Sequence, residues 1–540
     1  MAAGTAKRRK GRQYNLAIVL LTCCFITLLM NLLHGSAIHN LSSTHLLDSF
    51  IGTDSSEHHE HTSLAGLSCD KYGGPDNAEE MVYWRDVRED ASYKSPFHDP
   101  SKYMTFEPDG GGWNNIRMSM ETVLAMAHAM GRTLVLPPEQ RMYLLEGNEG
   151  RRHFSFQDFY PMEQIAKEHV GLDIITMEEF LVKVAMTGQL RDSQGEPSFP
   201  PGNRTNWNGL TREVNQELNP WLRSVTIMPE WDPNECLAAF PSSKDSIADL
   251  QQLQDNLSTE LNLPKYQNYV GHPVAVNASA KDRLLENLAE RKKLCIYDKD
   301  LQEAHVLHFH GNAKMGGRLL VHFYAFLFFN DWKADLWMKR FVRDHVRYVD
   351  EIQCAAARII QAVRERSRQH GNHGNYDAFH IRRGDFQYKV TRVNASEIYN
   401  ISKDVIPDKS TVYIGTDERD KTFFNDLKKH YDIVFLDDYL HLVEGMNPSY
   451  YGMLDQLITS RSRYFFGCWF STFTSYVNRL RGYHSQNDKL AGYKEGVIES
   501  YYYALPANKL AMREFWPVKK AFHAREFPRS WLNIDMDIDK

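Results

Sequence analysis

The strongest constraint in this sequence is an alternation of short apolar runs with longer segments that carry apolar residues at helical spacing. MSMETVLAMAHAMG (118–131) has that spacing and ends on Gly131, suited to a left-handed C-cap. RTLVLPP follows directly and predicts a short buried strand stopped by Pro137 and Pro138. Further strand-like runs are LCIYD (294–298), AHVLHFHG (304–311), YDAFHIR (376–382), TVYIGT (411–416), DIVFLDD (432–438) and SRYFFG (462–467). Helix-like segments lie between them, among them ERDKTFFNDLKKHY (418–431). A long amphipathic stretch over roughly 332–370 is predicted to join two halves. Short strands of this kind predict a parallel sheet covered by helices on both faces. The chain shows no internal repeat, and the predicted fold is α/β, two Rossmann-like domains facing a cleft.

Length and charge bound the function classes. The chain has 540 residues, 42% of them hydrophobic, enough for one large or two medium domains. A net charge of −6 gives no global positive field, so nucleic acid is not an expected partner. The dense basic run Lys7, Arg8, Arg9, Lys10 and Arg12 precedes the apolar segment LAIVLLTCCFITLLMNLL (16–33). With Tyr14 and Asn15 that segment approaches the roughly 20 residues a membrane-crossing helix needs. The basic side stays cytosolic and the remainder faces a lumen. The competing reading is a cleaved signal peptide, with Gly35-Ser36-Ala37 at the cleavage site. Six Asn-X-Ser/Thr acceptors, at Asn40, Asn203, Asn256, Asn277, Asn394 and Asn400, agree with a luminal destination. Beyond Cys23 and Cys24 in the apolar segment stand Cys69, Cys236, Cys295, Cys354 and Cys468, which allow one or two disulfides of unassigned pairing. Residues 35–68, rich in Ser, Thr and His, read as a flexible stem, and His58, His59 and His61 as part of it.

Three polar clusters carry candidate chemistry. In FEPDGGGWNNIRMSMETV (106–123), Gly110, Gly111 and Gly112 precede a helix whose first turn contains Asn114, Asn115 and Arg117. Glycines admit a ligand close to the backbone, and a helix N-terminus offers free N–H groups to an anion. In AFHIRRGDF (378–386), His380, Arg382, Arg383 and Asp385 fall at the C-terminal end of a predicted strand, where open α/β sheets bind ligands. An arginine there can grip a diphosphate through two parallel charge-assisted bonds; the plainer reading pairs it with Asp385. In LDQLITSRSRYFFGCWFSTFTSYV (454–477), a helix bearing Asp455 leads through a strand to Ser471, Thr472 and Phe473. That turn is either a phosphate cradle or an ordinary N-cap.

Taken together, these elements resemble the GDP-fucose O-fucosyltransferase family, which includes the protein O-fucosyltransferases and related plant enzymes. Its pattern is Gly-Gly-apolar-Asn opening a helix, then His-X-Arg-X-X-Asp, then an Asp about 16 residues before Ser/Thr-Phe. Here these read Gly111-Gly112-Trp113-Asn114, His380-Ile381-Arg382-Arg383-Gly384-Asp385, and Asp455 followed by Ser471-Thr472-Phe473, over residues 100–485. The resemblance implies a GT-B-like arrangement that inverts the anomeric centre and holds its donor without a divalent metal or other cofactor. It implies that Arg382 binds the β-phosphate and that Asp455 contacts the guanine. Ser471, Thr472 and Phe473 would hold the phosphates, and Gly111, Gly112 and Asn114 would face the sugar and the acceptor, with His380 and Asp385 completing the donor site. Where some members carry a Glu before the Gly-aromatic-Asn segment, this chain has Gly111, which leaves Asp109 or Glu107 as candidate base or a reaction that needs no protein base.

The resulting organisation is a basic tail (1–13), a signal-anchor (14–34), a stem (35–68), an acceptor-side domain (69–335), a GDP-sugar-binding domain (336–490) and a C-terminal extension (491–540). The expected setting is the Golgi or ER membrane, and the expected acceptor a protein or a glycan. Two alternatives stand beside this reading. Asp298-Lys299-Asp300 after LCIY fits a metal-dependent GT-A transferase using another nucleotide sugar, and the same scaffold suits a catalytically silent luminal binding protein. Oligomeric state is not legible, nor is the role of 145–290.

Overall fold

Seven short strands run through the first half of the described chain: β1 (Tyr103–Phe106), β2 (Thr133–Leu136), β3 (Ile174–Thr176), β4 (Cys236–Phe240), β5 (Lys293–Ile296), β6 (Val306–Phe309) and β7 (Leu327–Phe329). They form two parallel sheets, a four-stranded one ordered β3-β2-β1-β6 and a three-stranded one ordered β5-β4-β7. The second half supplies β8 (Tyr376–Ile381), β9 (Thr411–Thr416), β10 (Asp432–Val434) and β11 (Phe465–Cys468). A small antiparallel pair, β12 (Tyr493–Lys494) and β13 (Val497–Ile498), precedes β14 (Ser500–Tyr503) and β15 (Lys509–Ala511). The order of the large sheet is β10-β9-β8-β11-β14-β15, parallel up to the antiparallel edge strand β15. This computed structural model describes residues 66–538 apart from 77, 86–89, 91, 144, 146–152, 208–210, 262–273, 289–290, 312–317, 488, 490, 495, 504–508 and 512–525. The segments predicted as basic tail and signal-anchor, Asn40, and the predicted stem up to residue 65 lie outside the described residues. Among those described, no helix is long and apolar enough to cross a membrane.

The four-stranded and six-stranded sheets share one order. Counting each from its own first strand, both run 3-2-1-4, the half-pattern of doubly wound α/β folds. The crevice of such a sheet opens between strands 1 and 4, here β1/β6 and β8/β11. The burial of β8 explains its sequence, since all six residues from Tyr376 to Ile381 are buried, as a parallel strand covered on both faces requires. Even Asp377 is accommodated, its two oxygens accepting from Arg463 Nε and Nη2 at 3.0 and 2.7 Å.

The helix Trp113–Met130 starts at N-cap Gly112 and ends as the sequence predicts, with Gly131 at φ 63° and its N–H bonded to the Ala127 and His128 carbonyls. Three predictions are corrected. The long helix over 332–370 is two helices, Trp332–His345 and Asp350–Gln369, because the Val349 N–H leaves the helical ladder for the Phe159 carbonyl at 2.9 Å. The helix over 418–431 shrinks to a 3-10 turn, Lys421–Phe424, and a short helix, Asn425–Lys428, after Asp420 caps the turn. The strand DIVFLDD ends at Val434, and Leu436–Val443 winds into a 3-10 helix whose Asp438 accepts the Phe435 N–H at 2.8 Å. Disulfides join Cys69 to Cys354 and Cys236 to Cys295, and Cys468 remains a buried thiol.

The described residues form one compact unit, and two helices from opposite halves pack directly together within it. Thr472 Oγ1 of helix Thr472–Asn487 donates to Asn115 Oδ1 at 3.0 Å, Arg117 lies 3.7 Å above the Tyr476 ring, and Arg479 bonds Glu121. Positions 115, 117 and 121 therefore meet 472, 476 and 479 in the same direction. The helices run roughly parallel, N-terminus beside N-terminus. A buried charge cluster locks them: Glu121 accepts from Arg117 and Arg479, and Arg479 Nε donates to Glu526 at 2.6 Å. Removing one member of such a cluster would leave a buried charge uncompensated, a loss of about 3–5 kcal/mol.

Candidate active site

A cavity of about 660 Å³ opens above those two helix starts. Its walls bring together Gly111, Gly112 and Asn114 from the glycine loop, His380, Arg382 and Asp385 from the end of β8, and Ser471, Thr472 and Phe473 from the start of the other helix. Three clusters far apart in sequence thus meet at one place because the two sheet halves present their strand ends to each other.

Each wall residue is held by a partner. Arg382 follows the last residue of β8, and its guanidinium donates from Nη1 to Asp417 Oδ2 at 2.5 Å and from Nη2 to Asp385 Oδ1 at 2.8 Å. Asp417 also accepts the Arg383 and Gly384 N–H groups at 2.7 and 2.8 Å, which fixes the turn. A Cβ at Gly384 would stand 2.4 Å from Asp417 Oδ2, so the turn requires glycine there. Asp385 in turn accepts from the Tyr143 hydroxyl at 3.2 Å. His380 Nδ1 lies 2.8 Å from Thr474 Oγ1 and its ring stacks on Phe473 at 4.1 Å. Burial first, and the Arg382 charge second, push its imidazole down to about 3, so it is neutral.

The Tyr348 hydroxyl donates to Gln456 Oε1 at 2.7 Å, and Gln456 Nε2 donates to Asn114 Oδ1. That assignment leaves the Asn114 amide hydrogens for the cavity. Before the second helix, Phe470 takes φ 68°, a left-handed conformation that costs a bulky residue on the order of 1–3 kcal/mol. Its ring stacks on Tyr388 at 4.5 Å, and the turn it makes leads Ser471 and Thr472 onto the cavity wall.

Three sequence candidates stand off the wall. Asp109 has a side chain 1% exposed; its carboxylate takes Arg318 in a two-point ion pair and accepts the Gly111 N–H at 2.7 Å. Glu107 is likewise engaged, accepting from Arg223 Nε and Nη2 at 2.7 Å each, and these partners with His308 hold its carboxyl below the usual range against the opposing effect of burial. Asp455 sits one helical turn along from the wall residue Gly452, half-buried, and accepts from the Tyr413 hydroxyl at 2.6 Å. Burial pushes its carboxyl up to about 7.

Residues the sequence reading passed over include Tyr143, Arg318 and Tyr388 on the wall, and Asp417 and Gln456 behind it. Asp417 was findable, since it directly follows the run TVYIGT and so stands at a strand's C-terminal end, the rule that singled out Arg382. Nothing local marks Tyr143 or Arg318. Asp298 is the N-cap of Lys299–Glu303, accepting the Leu301 N–H at 3.1 Å, and lies off the cavity wall. Among the described residues no group of three His, Cys, Asp or Glu side chains is placed to hold a metal ion.

Comparison with solved structures finds similar chains of distant sequence. The fucosyltransferase NodZ from Bradyrhizobium is 14% identical, with 76% of this chain and 98% of that chain covered at a TM-score of 0.34. POFUT1 in complex with GDP is 15% identical, covering 71% and 95% at 0.31, and a variant of Arabidopsis thaliana FUT1 in complex with GDP is 8% identical, covering 81% and 77% at 0.32. No curated protein matches by sequence. The model of the GDP-fucose protein O-fucosyltransferase family, however, matches residues 103–484, from the first residue of β1 to a point inside the second cavity helix. That span contains both crevices and every residue described on the cavity wall; the chain belongs to this family and is a glycosyltransferase.

Proposed function

We propose that the cavity receives GDP-fucose and that the chain transfers the fucose to a hydroxyl of a protein or glycan, inverting the anomeric carbon. The observation that carries this reading is the pair of roughly parallel helices, Trp113–Met130 and Thr472–Asn487, whose N-termini stand side by side over Arg382. Each N-terminus presents about half a positive charge and free N–H groups, and Gly112 provides no side-chain cap. Two such ends side by side repel until an anion sits between them, and a diphosphate suits them.

The chemistry follows from charge. As the acceptor oxygen attacks, the bond from the anomeric carbon to the β-phosphate oxygen breaks and its electron pair stays on the diphosphate. Arg382, preorganised by Asp417 and Asp385, stabilises that oxygen without needing to move. The Asn114 amide and the glycine loop face the sugar and acceptor, Ser471, Thr472 and Phe473 the phosphates, and Asp455 the guanine. Asp109 and Glu107 are committed to arginines, so we assign no protein base, and the proton of the acceptor hydroxyl passes to the departing diphosphate. No divalent metal on the donor enters this scheme.

A Golgi or ER luminal setting is part of the proposal, anchored through the N-terminal apolar run. Two disulfides and the exposed acceptors Asn203, Asn256, Asn277, Asn394 and Asn400 support an oxidising lumen. The test is thermal stability of the full chain in detergent against GDP, UDP, GDP-fucose and UDP-sugars, with and without EDTA. Stabilisation by guanine nucleotides alone, indifferent to EDTA and lost in Arg382→Ala, is expected. Manganese-dependent stabilisation by UDP-sugars would overturn the reading.

A further inference from the structure

We infer that Arg318 is a second phosphate-gripping residue, on the wall of the same cavity as Arg382 and positioned by Asp109. This deepens the donor reading and rests on it. Two observations carry the inference. The first is charge. Among the described wall residues the only cations are Arg382 and Arg318, the anion is Asp385, and His380 is neutral. Arg382 is already shared by two carboxylates, Asp417 and Asp385, so by itself it cannot balance a nucleoside diphosphate.

The second observation is the way Arg318 is held. Its Nε and Nη2 donate to the two oxygens of Asp109, a carboxylate 1% exposed, while the arginine side chain stays 34% exposed on the cavity wall. A guanidinium has five N–H donors, and this two-point grip leaves its other edge to the cavity. Asp109 Oδ1 also accepts the Gly111 N–H, two residues before the helix start at Trp113. One buried carboxylate therefore fixes both the glycine loop and the guanidinium beside it. A phosphate at that helix N-terminus meets backbone N–H groups and Arg318 together. Asp109 is in this view a positioning residue.

The experiment is calorimetric titration of GDP, and of guanosine as the phosphate-free control, into the full chain, Arg318→Gln, Arg318→Lys and the double variant Asp109→Asn/Arg318→Gln. Loss of one charge-assisted contact predicts GDP binding weaker by roughly ten- to a hundredfold in Arg318→Gln, with guanosine binding unchanged. Arg318→Lys recovers part of the loss. The double variant removes the buried carboxylate's charge too, so it keeps the ligand-free thermal midpoint near wild type while binding GDP weakly. GDP affinity equal to wild type in Arg318→Gln overturns the inference. Equal loss of GDP and guanosine binding would mark a merely structural role and overturn it as well. A wild-type chain that binds no GDP overturns the nucleotide reading itself, and this inference with it.

Discussion

The two doubly wound sheets share a strand order but use their crevices differently. At the β1/β6 crevice the chain fills its own mouth. Glu107, directly after β1, is paired with Arg223 and hydrogen-bonded to His308 Nε2 at 3.1 Å, and a Cβ on Gly311 would stand 2.8 Å from the Glu107 carbonyl oxygen. At the β8/β11 crevice the corresponding position carries Arg382, whose carboxylate partners flank it and leave it on a cavity wall. Each mouth also carries a histidine next to last in a strand and beside a threonine hydroxyl at 2.8 Å, but in different places: His308 ends strand 4 of its sheet, β6, and His380 ends strand 1 of its sheet, β8. Topology thus supplies two crevices, and the side chain that follows strand 1 decides which stays open. The closed half contributes its loop, its helix start and Arg318 to the other half's site.

If the comparison is right, substitutions at the open mouth cost turnover and substitutions at the closed mouth cost stability. The largest effect belongs to Arg382→Ala, expected to lower fucosyl transfer by about 10²–10³ while the ligand-free thermal midpoint moves little. Full turnover in that variant would break the comparison outright. Glu107→Ala, by contrast, should lower unfolding free energy by about 2–3 kcal/mol, read as a lower urea midpoint, and leave GDP affinity intact. A GDP-binding loss without destabilisation would show the closed crevice to be part of the site.

A smaller effect separates the mouths by pH. The His380 imidazole has a folded value of about 3, below the roughly 6.5 of an unfolded chain, so the unfolded state takes the proton first. Its contribution is complete above about pH 6.5 and is lost as pH falls towards 3. In His380→Asn the slope of unfolding free energy between pH 6 and 4 should fall by about 1.4 kcal/mol per pH unit. An unchanged slope would mean that water reaches deeper into the open mouth than its burial indicates. Least affected should be Asp298→Ala, where loss of a helix cap costs about 1 kcal/mol and turnover persists with EDTA present. Collapse of turnover there would move the chemistry away from the open crevice and towards β5.

Much of the fold was legible because its determinants are local. Buried parallel strands read as short apolar runs, and β8, β9 and the helix Trp113–Met130 fall where period and capping residues place them. The misses have a common cause. The Val349 N–H goes to the distant Phe159 carbonyl, and the Thr422 and Phe435 N–H groups go to the nearby side chains of Asp420 and Asp438 instead of a backbone ladder; no periodicity records such a choice. At the site, Arg382 and the glycine loop were legible as strand-end and helix-start chemistry. Asp417 obeys the same rule and was passed over. Arg318 and Tyr143 carry no local mark, because what makes them wall residues is their position across a cleft.

By itself the sequence determined the α/β class, the strands that bear chemistry and the order of three polar clusters, since periodicity, caps and strand ends act over a few residues. Tertiary structure decided which of two equivalent crevices is open, that Asp109 holds an arginine, that two helix N-termini stand side by side, and which cysteines pair. Those outcomes depend on groups up to some 360 residues apart, such as Arg479 and Glu121 with |i−j| of 358, meeting in a low-dielectric interior where each polar group must find a partner.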